Sequence, residues 1–173
     1  MKKATSQSLK KIKLRRTVRS AYMKEPLKKE DLEFITSNDN AQFQFFPNNS
    51  QEFGWWNEQT IEANRQHTWR NDAQSELEDW MRLSNKDAKK YCDGLTTASM
   101  EINGMPGWVV PNFYSKGDVM SKKFREQGID KVKEKVAMSS GWLLLTSNEN
   151  STGTLIETGK RLQRMLLKTR EKI

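Results

Sequence analysis

Gly141 to Thr146 reads GWLLLT, and this short apolar run decides the fold class that the sequence predicts. The run is too short for most helices, so we interpret it as a buried central strand. A polar turn over Ser147 to Gly153 follows it. Leu155 and Leu162 then recur at helical spacing, which predicts a long helix over Thr154 to Lys172.

Upstream of this strand and helix, the pattern predicts two further elements. A helix is expected over Lys28 to Thr36, and a strand over Ala41 to Phe46. Alternation in this strand puts Phe43 and Phe45 on one face and Gln42 and Gln44 on the other. Ser50 is a suitable N-cap for a helix that begins near Gln51. Strands interspersed with helices in this way indicate an α+β fold with a small mixed sheet flanked by helices.

Most of the middle of the chain is expected to be helical. Apolar residues recur there at three and four positions, and we interpret them as core. These residues are Trp56, Ile61, Ala73, Leu77, Trp80 and Met81. A second, charged helix is expected over Val119 to Val136, with an interruption at Gly128. Gly159, in the middle of the last helix, costs ~1 kcal/mol against alanine and therefore suggests a close helix contact.

Tyr91 to Tyr114 is apolar, yet glycine and proline pairs break any regular pattern in it. We expect such a long apolar loop to pack as a lid or to cover a partner. The single cysteine, Cys92, is expected to be a buried or inert thiol and suits a reducing, cytoplasmic compartment. The single histidine, His67, is expected on a polar face. One cysteine and one histidine make a Cys/His zinc site improbable.

The positive charge of the chain is concentrated at its N-terminus. The chain carries 30 Lys+Arg and 22 Asp+Glu, a formal charge of +8. The excess lies in residues 1–20, which contain no acid, and residues 1–13 are interpreted as a basic arm. The cluster Arg15, Arg16, Thr17 and Arg19 offers guanidinium forks and a hydroxyl that match phosphate oxygens. The partner is either a nucleotide cofactor or a nucleic acid.

Side chains suited to catalysis are not evident in the sequence. It contains neither a Gly-x-x-x-x-Gly-Lys phosphate loop nor a Gly-x-Gly-x-x-Gly fingerprint. The acidic pair Glu76 and Asp79 falls on what we interpret as a solvated helix face. No apolar run approaches the ~20 residues of a membrane span. If the chain performs chemistry, a cofactor supplies the reactive atoms.

Several stretches together resemble one family. Residues 15–19, RRTVR, are similar to the Arg-Arg-Ser/Thr-x-Arg opening of the nitroreductase superfamily. Residues 73–80 and 93–95, AQSELEDW and DGL, resemble the middle of its Acg-like, FMN-binding branch. Residues 137–146 resemble the core strand of that branch, and residues 158–167, TGKRLQRMLL, the helix after it. The resemblance extends from about residue 14 to residue 168.

This resemblance implies a nitroreductase-like domain over residues 14–173 with FMN as cofactor. Arg15, Thr17 and Arg19, together with Arg16, would contact the flavin phosphate and ribityl chain. The implied activity is that of an NAD(P)H-dependent flavin oxidoreductase. The resemblance is compatible with a homodimer, and no association with a membrane is expected. The Asn/Gln-rich flavin-binding segment and the final strand of the family are not found, so a partial, incomplete site is expected. The alternative is a non-catalytic protein that binds nucleic acid or another polyanion through its basic arm, which the balanced charge of the body disfavours.

Overall fold

The structure, a computed structural model, describes residues 11–15, 17–19, 22–37, 39, 41–102 and 116–172. It divides into two compact units. Unit 1 comprises Met1–Thr17, Lys24–Phe53 and Ser140–Ile173, and unit 2 comprises Val18–Met23 and Gly54–Ser139. The described chain is helix-rich, with two small sheets, and belongs to the α+β class that the sequence predicts.

The elements follow one another as alternating helices and short strands. In the described residues the α-helices are Lys29–Thr36 (α1), Gln51–Trp69 (α2), Asn71–Trp80 (α3), Asn85–Tyr91 (α4), Lys122–Ala137 (α5) and Thr152–Lys172 (α6). The strands are Phe43–Pro47 (β1), Met81–Arg82 (β2), Leu95–Thr96 (β3) and Gly141–Leu145 (β4). A 3-10 helix over Lys116–Met120 precedes α5, and residues 11–14 are helical.

Unit 1 is built on an antiparallel pair of strands. In this ladder β1 pairs with β4, from Phe43 opposite Leu145 to Pro47 opposite Gly141. The predicted strand over Gly141 to Thr146 is therefore confirmed, but its burial is not. Every residue of β4 is only half-buried, because the described sheet has two strands and no further strand flanks β4.

Gln42 directly precedes β1 and is buried. The alternation of the strand placed it on the face opposite Phe43 and Phe45. Its Nε2 donates to Asn148 Oδ1 at 2.8 Å, and its Oε1 accepts from Arg161 Nη1 at 3.4 Å. A buried amide whose donor and acceptor are both satisfied is tolerated in an interior. The burial of Gln42 does not follow from the alternation of the strand, because its two partners lie 106 and 119 positions away in sequence.

Helix α1 is held against α6 by a lysine. Lys168 Nζ donates to Phe34 O at 2.8 Å and to Ser37 Oγ at 2.7 Å, and it lies 5.1 Å from the centre of the Phe34 ring. The helix ends at Ser37, whose φ of 62° is left-handed. The ammonium is a second donor to the Phe34 carbonyl, which also accepts the capping N–H of Ser37 at 3.3 Å.

Helix α6 confirms the predicted helix but exposes much of its apolar surface. Leu155, Ile156 and Leu162 are 48%, 55% and 43% exposed. A Cβ built at Gly159 would meet no atom within 4 Å, so in the described residues no close helix contact occurs there. The expected helix contact at Gly159 is therefore wrong for this unit.

Unit 2 has a small apolar core that begins where α3 ends. Met81, Leu83 and Val119 are buried together, and Leu77 and Phe124 pack against them. Gln74 Nε2 donates to Val119 O at 2.7 Å, which satisfies a polar side chain inside this core. The short parallel pair β2–β3, with Met81 opposite Leu95, runs along one side of it.

Some of the remaining predictions hold, and others need correction. Ser50, in unit 1, caps α2, since its Oγ accepts the N–H of Phe53 at 3.2 Å. Helix α5 continues through Gly128 without interruption. Trp80 is 52% exposed rather than core, because α3 ends at this residue and the chain turns into β2. Cys92 is exposed rather than buried. The second half of the predicted apolar loop, residues 103–114, lies outside the described residues.

Candidate functional site

The predicted phosphate-binding cluster lies at the end of the first described helical turn. Arg15 N–H donates to Lys11 O at 2.9 Å and so closes this turn. Arg15, Thr17 and Arg19 are all exposed, whereas Arg16 lies outside the described residues. The division between the units falls after Thr17, so Arg15 and Thr17 belong to unit 1 and Arg19 belongs to unit 2. The structure therefore describes the two parts of the cluster separately.

Both described guanidiniums in the cluster are available to a ligand. Across the described ranges, no carboxylate forms an ion pair with the side chain of Arg15 or Arg19. An arginine without an acidic partner keeps all five of its N–H donors for an external anion. The donor chemistry of these residues thus fits a phosphate group.

Glu101 is a residue near the cluster that sequence reasoning missed. Its Oε2 accepts the backbone N–H of Arg19 at 2.8 Å. Its φ of 56° places a non-glycine residue in the left-handed region. The contact joins positions 82 residues apart in sequence, which no local pattern indicates. It fixes the backbone at Arg19 while leaving the guanidinium out of this hydrogen bond.

A polar cavity of about 480 Å³ lies at the N-terminal end of α6 in unit 1. A helix N-terminus attracts anions, so this cavity is a second place to look for a phosphate. Two acidic side chains, Glu149 and Glu157, line it, and its one arginine, Arg161, is held by Asp39 at 3.5 Å and by Gln42. The carboxylates oppose an anion, so this cavity does not fit a phosphate.

Exposed ion pairs change the pKa values of several carboxyls without forming a site. Hydrogen bonds from Arg65 and Gln66 lower the pKa of Glu62 to about 2. The hydrogen bond from Arg70 lowers the pKa of Asp72, and that from Lys160 lowers the pKa of Glu157. Each carboxylate is paired within its own helix or helix end, as charged surface residues commonly are. These groups are stabilised in their charged form, which does not suit a general acid.

In the described ranges, no cluster of three or more His, Cys, Asp or Glu side chains is arranged to hold a metal ion. None of the described helices combines the length and apolar character needed to cross a bilayer. Comparisons with family models, curated proteins and solved structures found no significant match to this chain. The argument for function therefore depends on the chain's own residues.

Proposed function

We propose that the chain is a nitroreductase-like, FMN-binding oxidoreductase whose arginine cluster holds the flavin phosphate. The observation that supports this most directly is the pair of exposed guanidiniums without acidic partners, Arg15 and Arg19, with the hydroxyl of Thr17 between them in sequence. Guanidinium forks form short, charge-assisted hydrogen bonds with phosphate oxygens. Thr17 adds a neutral donor.

The order of elements near the C-terminus also supports the proposal. The resemblance implies a core strand followed directly by a long helix that contains Gly159, and β4 is followed by α6 in that order. When bound, FMN would supply the redox chemistry by taking a hydride from NAD(P)H and passing electrons to a nitroaromatic or quinone-like acceptor. The residues of this chain would bind and orient the phosphate end.

A titration of FMN that is followed by quenching of its fluorescence tests this proposal. We expect saturable quenching by the full chain, and about tenfold weaker binding after Arg15→Gln or Arg19→Gln, since a hydrogen bond to a charged group contributes roughly 1.5 kcal/mol. Lys13→Gln, an exposed cation outside the cluster, is the control and should bind FMN as the wild type does.

Riboflavin separates phosphate recognition from recognition of the ring. It lacks the phosphate, so the two arginine variants should bind riboflavin as the wild type does. Absence of quenching, or equal FMN binding by the wild type and both arginine variants, contradicts the proposal. Retention of nucleic acid that weakens steeply with salt, without FMN binding, would favour the polyanion alternative instead.

A further inference from the structure

Unit 2 contains a cavity of about 510 Å³, distinct from the polar cavity of unit 1, and the proposed function does not use it. Sites for small molecules commonly have volumes of ~300–1,000 Å³. Its walls come from the end of α2, from α3 and from β3. The residues that line it are His67, Ala73, Glu76, Leu77, Trp80, Gly94 and Leu95. Most of this lining is apolar, with one carboxylate, one imidazole and one indole.

Helical spacing places the three main side chains of α3 together. Ala73, Glu76 and Trp80 follow one another at intervals of three and four, and such residues share one face of a helix. Leu77 lies beside them and also packs on the buried core of Met81, Leu83 and Val119. The cavity therefore has an apolar floor continuous with the core of the unit.

A buried arginine of β2 lies behind the wall that Gly94 and Leu95 form. Arg82 Nη2 lies 2.8 Å from Asp93 Oδ1, and the guanidinium lies 4.7 Å from the centre of the Tyr91 ring. Gly94 has a φ of 72°, and a Cβ there would approach Trp80 O to within 2.3 Å. The Gly94 backbone therefore lies close to the end of α3, at the edge of the cavity that Trp80 and Gly94 both line.

The charges around the cavity favour a cation. Helix α3 contains four acidic residues and no basic one, and its C-terminal end, which carries the negative end of the helix dipole, lines the cavity. Throughout the part of the chain that the structure describes, Glu76 pairs with no cation. The positive charge of Arg82 is already balanced by Asp93.

Trp80 supplies the second feature that selects a cation. Its side chain is half-exposed, and no ring or cation among the described residues packs against its indole. Tryptophan has the strongest attraction for cations among the aromatic residues. We propose that this cavity binds a small organic cation with an apolar body, an arylalkyl ammonium, with Glu76 and the Trp80 indole at the ammonium and Leu77 and Leu95 around the apolar part.

Two probes with the same phenylethyl body and opposite charges test this proposal on the full chain. The cation is 2-phenylethylammonium and the anion is 3-phenylpropionate. The readout is the indole N–H resonance of Trp80 in ¹H–¹⁵N spectra, identified by its disappearance in Trp80→Phe. We expect the cation to shift this resonance saturably and to bind at least about threefold more tightly than the anion, as one partly exposed charge contact implies.

Glu76→Gln removes the charge with little change of shape, and its side chain is exposed, so the fold should persist. We expect this variant to weaken binding of the cation about threefold and to leave the anion no worse bound. Glu58→Gln on α2, outside the cavity, is the matched control and should keep the preference for the cation. No saturable shift, equal affinity for the two probes, or identical behaviour of Glu76→Gln and Glu58→Gln would each overturn the proposal. None of these outcomes depends on whether FMN binds.

Discussion

The two units differ in the kind of apolar side chain that they leave in contact with solvent. In unit 2 several exposed large side chains are aromatic. The Trp69 ring stacks with the guanidinium of Arg125, the Tyr91 ring stacks with that of Arg82, and Trp80 lines a cavity. In unit 1 the exposed residues of α6 are aliphatic, including Leu155 and Leu162. Aliphatic groups gain only from burial, whereas an aromatic ring also gains from contact with a cation.

The largest expected effect comes from truncating one apolar residue in each unit. Met81 is 4% exposed in unit 2, and Leu162 is 43% exposed in unit 1. We expect Met81→Ala to lower the free energy of unfolding by about 3 kcal/mol, because it leaves a cavity in the core. Leu162→Ala should change it by less than about 0.5 kcal/mol. Urea denaturation followed by circular dichroism measures both, and equal losses would remove the distinction between the units.

Replacing one arginine in each unit compares the two units by their loss of stability. Arg125 in unit 2 is buried and donates to Thr68 O at 2.8 Å and to Asn71 Oδ1 at 3.0 Å. Arg125→Met should cost about 2 kcal/mol, since it removes the hydrogen bonds that a charged group makes to Thr68 and Asn71. Arg161 in unit 1 is about a third exposed, so Arg161→Met should cost no more than about 1 kcal/mol. The same urea transitions report both values, and a larger loss for Arg161 would contradict this ranking.

Replacing each of two glycines with alanine should change the free energy of unfolding in opposite directions. Gly94→Ala in unit 2 forces a side chain into the left-handed region against Trp80 O, and we expect a loss of about 1.5 kcal/mol. Gly159→Ala in unit 1 adds a methyl group in open space within a helix, and we expect a gain of about 0.7 kcal/mol. Thermal melts of the two variants beside the wild type provide the measurement. A loss at Gly159 would mean that another surface packs on α6 in solution.

The sequence predicted those features that depend on local spacing. The helices α1 and α6, the strand β4 and the Ser50 cap follow from apolar periodicity and capping chemistry within a few residues. The degree of burial did not follow, because it depends on how many elements cover each face. Thus β4 is half-buried in a sheet of two strands, although GWLLLT has the composition of a central strand.

The candidate sites also differ in whether local sequence predicts them. The availability of Arg15 and Arg19 follows from an arm without acids, which the sequence displays. The cavity around Trp80 combines residues of α2, α3 and β3, and no pattern within one element indicates it. Glu101 also escaped prediction, because its contact with the Arg19 backbone spans 82 positions.

The two strand pairs also differ in the length of chain that each must close, and this has a consequence for folding kinetics. Met81 and Leu95 are about fourteen positions apart, whereas Phe43 and Leu145 are about a hundred apart. Closing the longer loop costs roughly 2 kcal/mol more in chain entropy. The parallel pair can therefore form as a local event, while the antiparallel ladder must wait for distant segments to meet. Refolding should show early protection of amide hydrogens at β2–β3 and later protection at β1–β4.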